Sequence, residues 1–454
     1  AKRIILSMNS VWVTAFAEKE VNMQSVFRRL SPARFIAIGF AATILIGSAL
    51  LMLPVCVKPD VSLHYIDALY PSASAVCVTG LLTVDVGDTF TAVGQTIIAV
   101  LIQIGGLGVG AIGAGIMLAT RRRMDLKSMN IVREAGNLDA GRGVTQFLSV
   151  LFKTTLVIEL CGAVLSFPTF VRHYPVGKAI GISLFHAIAA FNNSGFDILG
   201  GGRNLAPFRD DIPLNLVTCA LIIFGGIGFL VIGEMRSKRF AWKRYSMHAK
   251  IVLSTSAVLT VGGALLLWLT EKFSPLAALF HSVSARTAGF STVPLGSFTE
   301  AGLLVMIVLM FIGASPGSTG GGIKTTTFFT LLAGIRSAAT NRSEKAFRYS
   351  LPKEAFRKAA VITLIGLLVV LVGTLLFMLA EPTVPLVDAL FEVVSAFGTV
   401  GLSTGITPTL GLPAKLLSIL LMYIGRLGPL TVATLWYFSH GERVRFPEGD
   451  LAIG

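Results

Sequence analysis

The chain has 454 residues, 54% of them apolar and 14% charged, with a mean hydropathy of +0.77. Soluble domains carry about 25% charged residues, and no long polar stretch here supplies one. The formal charge of +14 and pI near 9.9 invite nucleic acid as a partner, but the basic residues sit in short segments between apolar runs and read as membrane-topology signals.

Residues 1–34 mix charges with one short apolar patch and show no cleavable signal, so they are expected to form a cytoplasmic leader. Apolar spans follow in pairs: 35–55 with 92–119, 146–170 with 213–235, 251–271 with 301–335, and 358–380 with 412–438. Each pair brackets a short segment, at 65–77, 180–192, 275–285 or 386–397. About a dozen residues of helix cannot cross ~30 Å of hydrocarbon, which suits a re-entrant helix. The domains are therefore a cytoplasmic segment 1–34, repeats at 35–120, 146–237, 250–338 and 357–438, and a cytoplasmic tail 439–454. The segments that this order places inside carry 27 of the 38 Lys and Arg residues, against seven outside. That bias puts both termini in the cytoplasm.

Each short segment ends in the same phrase. The copies run Ser74 to Leu81, Phe191 to Phe196, Ser284 to Phe290 and Ser395 to Leu402, with their glycines 115, 94 and 112 residues apart. The turns themselves are Val78, Thr79 and Gly80; Asn193, Ser194 and Gly195; Thr287, Ala288 and Gly289; Thr399, Val400 and Gly401. Glycine allows backbone torsions that bring successive carbonyls onto one axis, and rings of carbonyls replace the hydration shell of an alkali cation. One such turn alone reads more readily as a helix-packing contact; four in equivalent places favour an ion pathway. The predicted fold is thus all-α and integral to the membrane, with eight transmembrane helices and four re-entrant pore helices around a pseudo-fourfold pore.

Two further features lie in the second spans. The third one is interrupted by Gly313, Ala314, Ser315, Pro316, Gly317, Ser318, Thr319, Gly320, Gly321, Gly322, Ile323 and Lys324. Interior glycines cost ~1 kcal/mol each and proline ~3, so 313–322 is expected to leave the helix as a polar plug across the pathway, with a packed kink as the rival reading. Arg426 sits mid-span in repeat four, where a guanidinium costs ~2.5–3.5 kcal/mol unless it meets water or a partner. It is expected to act as a positive barrier or a brace for the plug, the alternative being an ion pair with Glu159 or Glu234. Lys324 invites the same reading.

Weaker candidates complete the survey. Arg286 is expected to brace the third turn from outside against Glu392 or Asp388. The other glycine groups, Gly105, Gly106 and Gly108, Gly225, Gly226 and Gly228, and Gly425 with Gly428, are expected to permit close helix packing. His186 and His281 read as tucked, hydrogen-bonded side chains. Asp85, Asp88, Asp197, Asp210 and Asp211 either concentrate cations at the outer mouth or are ordinary loop acids. Cys56, Cys77, Cys161 and Cys219 have no metal-ligand spacing and are expected to be buried. No phosphate loop, HExxH or nucleophile elbow is present, so no catalytic residue and no enzyme activity are assigned.

On these phrases, together with Gly322, Ile323 and Lys324 and with Gly425 to Pro429, the chain resembles the Trk/Ktr/HKT superfamily of K⁺ transporters, most closely the membrane subunit of the bacterial Ktr system. The resemblance covers about 33–454. It implies four membrane–pore–membrane repeats, filter glycines at Gly80, Gly195, Gly289 and Gly401, an intramembrane gating loop at 313–322 and a pore-facing base at Arg426. It further implies K⁺ as the transported ion with Na⁺ as a candidate second ion, a homodimer in the inner membrane, and a cytosolic nucleotide-binding regulatory ring of the ATP/ADP or NAD type. No extra pair of spans before repeat one favours the Ktr type over the Trk type. The rivals are a secondary carrier for a small organic solute, built from broken helices, and a membrane scaffold.

Overall fold

The computed structural model describes residues 31–119, 129–130, 132, 143–239, 241–352 and 354–434. Most of the leader, the basic cluster at 121–123, residues 435–438 of the last span and the tail 439–454 lie outside them. Four times the chain makes a long helix, a short one and a broken one. The long helices are α1 (Pro32–Leu51), α5 (Val144–Phe170), α9 (Met247–Glu271) and α13 (Ala355–Ala380). The short ones are α2 (Tyr65–Cys77), α6 (Val176–Phe191), α10 (Pro275–Ser284) and α14 (Leu386–Gly398). The broken ones pair α3 (Ala92–Leu107) with α4 (Val109–Ala119), α7 (Ile212–Gly226) with α8 (Phe229–Lys238), α11 (Glu300–Phe311) with α12 (Thr325–Thr340), and α15 (Leu412–Leu427) with α16 (Pro429–Thr434).

Local chemistry sets these starts. Ser31 caps α1 ahead of Pro32, Ser274 caps α10 ahead of Pro275, and Asp211 caps α7, each accepting from a first-turn N–H that has no helical partner. The second short helix begins at Val176 and not at 180, because Pro175 ends the preceding turn in extended conformation and frees the next residue to start.

Burial is inverted relative to a soluble bundle. The short helices form the centre: every residue of 70–77 and of 391–398 is buried. The long helices form the rim and present apolar side chains outward, with Val164 and Val258 70% exposed and Leu379 69%. At most a third of each long helix's apolar window is covered by protein. Leaving such side chains in water forfeits ~1.5–3 kcal/mol each, so hydrocarbon covers this belt.

The second spans of repeats one, two and four are the main departure from the sequence reading, which expects a break only in repeat three. α3 and α4 meet at 97°, and α7 and α8 at 102°. The hinges are Gly108, Gly228 and Gly428, with φ of 87°, 90° and 90°, a region where a Cβ would meet the neighbouring carbonyl. In repeat three the interruption is the loop 312–324. Four described helices are long and apolar enough to cross alone, and the two bent pairs raise the number to six; the other two of the eight spans are those interrupted by the loop and by Gly428. Repeat four closes onto repeat one: Lys415 Nζ on α15 lies 2.8 Å from Asp67 Oδ1 on α2.

Candidate functional site

The four short helices end alike. Two residues before each glycine the chain turns left-handed, at Val78, Asn193, Thr287 and Thr399, with φ of 56°, 58°, 77° and 50°. The next N–H folds back onto the helix, at 2.8 Å from Thr79 to Ser74 O, 2.9 Å from Ser194 to Ala189 O, 2.9 Å from Ala288 to Ser284 O and 2.8 Å from Val400 to Ser395 O. This satisfies the helix end and sends the following residues away extended. Positive φ at β-branched Val78, Thr287 and Thr399 costs of order 1–3 kcal/mol each, a strain held by full burial of all three. Two serines tie the glycines down: the N–H of Gly80 donates to Ser74 Oγ at 2.9 Å and that of Gly401 to Ser395 Oγ at 3.1 Å.

The turns close a ring. A Cβ on Gly80 would strike Ser194 O, one on Gly195 would lie 2.9 Å from Ala288 O, one on Gly289 would strike Val400 O, and one on Gly401 would strike Thr79 O. Each glycine thus faces the carbonyl of the residue before the glycine of the next turn, in cyclic order. No hydrogen bond among the described residues ends on those four carbonyl oxygens. All four glycines line a single open cavity of about 570 Å³, together with Asp85, Asp197 and Asn204.

Asn204 stitches this rim. Its Nδ2 donates to Gly195 O at 3.0 Å and to Asp197 Oδ2 at 3.1 Å, and its Oδ1 accepts from Ser291 N in repeat three at 3.1 Å. Burial pushes the Asp197 carboxyl up to about 7, and the Asp85 carboxylate adds to the rise. Asp85 and Asp88 accept from the N–H groups of Gly202 and Gly201 at 2.8 and 2.7 Å, and Asp211 serves as a helix cap.

On the opposite side of the ring lies the glycine-rich loop. Gly320 has no room for a side chain because Thr287 Oγ1 occupies it, and Gly321 none because of Thr399 Oγ1. The loop fills the break in repeat two. Ser315 N donates to Gly226 O at 3.0 Å, Thr319 N to Gly225 O at 3.2 Å, Phe229 N to Gly317 O at 3.0 Å, and Thr319 Oγ1 to Phe191 O at 3.2 Å. Gly313, Pro316, Ser318 and Gly322 complete it, with Ser318 Oγ donating to Ser315 O at 2.6 Å. Lys324 curls back and donates to Gly320 O at 2.7 Å and Gly321 O at 3.3 Å. The Arg426 guanidinium donates to Thr319 O on the loop, to Gly105 O, and to Gly106 O at 3.2 Å. It binds the loop to the break in repeat one, and among the described residues no carboxylate pairs with it; Glu234 pairs with Lys238 at 3.0 Å.

Other sequence expectations are corrected. Arg286 turns away from Glu392 and Asp388: its NH1 and NH2 donate to Ser256 O and Oγ at 3.2 and 3.3 Å and to Gly313 O at 3.5 Å. Glu392 instead accepts from Thr407 Oγ1. Cys161 is exposed, on the outward face of α5, while the other three cysteines are buried. The glycine groups do more than ease packing. Gly105, Gly225 and Gly425 seat the carbonyls of Val76, Phe191 and Phe397 at the ends of the short helices, and the last glycine of each group is the hinge. His186 and His281 are tucked as expected, on Thr218 Oγ1 at 2.9 Å and Ala277 O at 2.8 Å. The roles of Ser74 and Ser395 escaped the sequence reading, although both stand six residues before their glycines. Asn204 carried no signal, its partner in repeat three being 87 residues away.

The family model described as TrkH, cation transport protein, matches residues 8–254 and 251–442. The Ktr system potassium uptake protein B of Bacillus subtilis is 38% identical over 440 residues, covering 94% of this chain and 97% of the relative. The potassium/sodium uptake protein NtpJ of Enterococcus hirae is 36% identical over 448 residues, covering 94% and 98%. The crystal structure of the potassium transporter TrkH from Vibrio parahaemolyticus shares the fold with a TM-score of 0.72 at 20% identity, over 90% of this chain and 86% of that one. The chain therefore belongs to the TrkH family of cation transport proteins, as a membrane transporter and not an enzyme.

Proposed function

We propose that the protein takes up K⁺ across the bacterial cytoplasmic membrane through a filter made by the backbone of 78–80, 193–195, 287–289 and 399–401. The observation that carries this reading is the cyclic set of carbonyls at Thr79, Ser194, Ala288 and Val400, held at the floor of an open cavity without hydrogen-bond donors of their own. A buried carbonyl without a donor is costly, and a dehydrated cation supplies what is missing. The names of the relatives support the ion: potassium for the Bacillus subtilis protein, potassium and sodium for the Enterococcus hirae one. Na⁺ is accordingly the candidate second ion.

The loop 313–322 is the proposed gate, latched by Lys324 and Arg426, because it occupies the axis just inside the ring and is bonded to three repeats. Both termini are placed inside by the distribution of Lys and Arg, with the four repeats bounded as in the sequence reading. The word "system" in the relatives' names supports a partner, for which we propose a cytosolic nucleotide-binding ring beneath a homodimer. Uptake of radioactive Rb⁺ into liposomes holding the purified protein tests the reading. Competition by K⁺ is expected, with none from organic solutes. Saturation by an organic solute, or no competition by K⁺, refutes it.

A further inference from the structure

Between α7 of repeat two and α9 of repeat three lies a second cavity of about 290 Å³, at the lower end of the ~300–1,000 Å³ typical of ligand pockets. Its inner wall is Ile222, Ile227, Val283 and Ala314, all buried, and its mouth is Ile223 and Val261, 42% and 66% exposed on the apolar rim of the protein. One charged residue lines it, Arg286.

The repeats show what this arginine lacks. It stands directly before the left-handed residue of its turn, where repeat two has Asn192. The Asn192 Nδ2 donates to Glu159 Oε1 on α5 at 3.0 Å, whereas the residue facing Arg286 from α9 is Ser256. All acceptors of Arg286 are neutral, its Nε–H has none, and no carboxylate pairs with it among the described residues. A guanidinium at this depth calls for a counter-charge or water.

We infer that this cavity binds a long-chain fatty acid drawn from the bilayer, its carboxyl group on the Arg286 guanidinium and its chain among Ile222, Ile227 and Leu253. The mouth opens sideways onto hydrocarbon, so the ligand arrives from the membrane. A carboxyl head is cheap to bring to this depth because its protonated form is neutral, unlike a phosphate headgroup. Its oxygens accept from the guanidinium in either protonation state, and the narrow volume suits one chain. The bond to Gly313 O, the longest of the three at 3.5 Å, is the one such a head displaces, which ties occupancy to the root of the glycine-rich loop.

The test is equilibrium binding of radiolabelled oleate to the full chain in phosphatidylcholine vesicles. One saturable site per chain is expected, displaced by unlabelled oleate and not by oleyl alcohol. Arg286→Gln weakens it at least tenfold, and so does Val261→Trp, which fills the mouth at a lipid-facing position and leaves the arginine in place. Unchanged binding in Val261→Trp, equal displacement by oleyl alcohol, or displacement by phosphatidylglycerol overturns the inference. The readout is independent of ion flux, so its failure and that of the filter reading are separable.

Discussion

Gly80, Gly195, Gly289 and Gly401 each meet two constraints at once. Their φ values lie between 69° and 105°, and the backbone of the next turn stands where a Cβ would go. Gly289→Ala combines a left-handed penalty of roughly 1–2 kcal/mol with displacement of Val400 O, so the ring opens on one side. We expect folded protein with at least a tenfold loss of K⁺ over Na⁺ preference, read as the ratio of inhibition constants against Rb⁺ uptake; an unchanged ratio contradicts the filter assignment. Asp197 gives a pH signature. Its carboxyl titrates at about 7 in the folded protein, so the cavity gains negative charge as external pH rises from 6 to 8, and uptake rises with it. Because the folded value lies above the ordinary one, the group's contribution to stability is present at low pH and fades as pH climbs toward 7. Asp197→Asn flattens the uptake profile over that range. At this scale the sequence displayed the glycines because they recur, while the partner of Asn204 lies in another repeat and the acceptors of Arg286 lie 27 and 30 residues away, contacts that no local pattern encodes.

At the scale of the element, the second span carries the proposed gate, and here the sequence was half legible. Proline and five glycines in 313–322 announced a break. The hinges at Gly108, Gly228 and Gly428 did not, since a lone glycine in an apolar run fits a straight packed helix as well as a kink. The breaks matter because those in repeats one and two expose carbonyls that Arg426 and the loop then engage. Arg426 makes charge-assisted bonds worth about 1.5–3 kcal/mol apiece, so Arg426→Gln should shift the balance from closed to open roughly tenfold or more. Deleting 313–322 removes the proposed gate itself. Both variants are expected to raise Rb⁺ flux in liposomes without a cytosolic partner present; lower flux in folded protein from either one argues that the loop supports conduction instead of blocking it.

Across the whole molecule, the hydropathy pattern specified the class of fold because the rim needs only apolar length, whereas the centre is built from pairings between distant repeats. The seam between first and last repeats includes an ion pair of Lys415 and Asp67, both largely buried. Removing one partner of a buried pair costs about 3–5 kcal/mol by leaving the other charge uncompensated. Lys415→Met is expected to lower the Tm in detergent by several degrees, and adding Asp67→Asn to restore most of it; an unchanged Tm in the single variant means that the ion pair does not hold the seam.

The central claim, that four turns converge to hold a travelling monovalent cation, is tested most directly by anomalous diffraction from crystals grown in Rb⁺. The account predicts density on the axis within coordination distance of the Thr79, Ser194, Ala288 and Val400 carbonyls, lost in Gly289→Ala. Rb⁺ density confined to other parts of the protein, with the ring empty at saturating concentration, would contradict it.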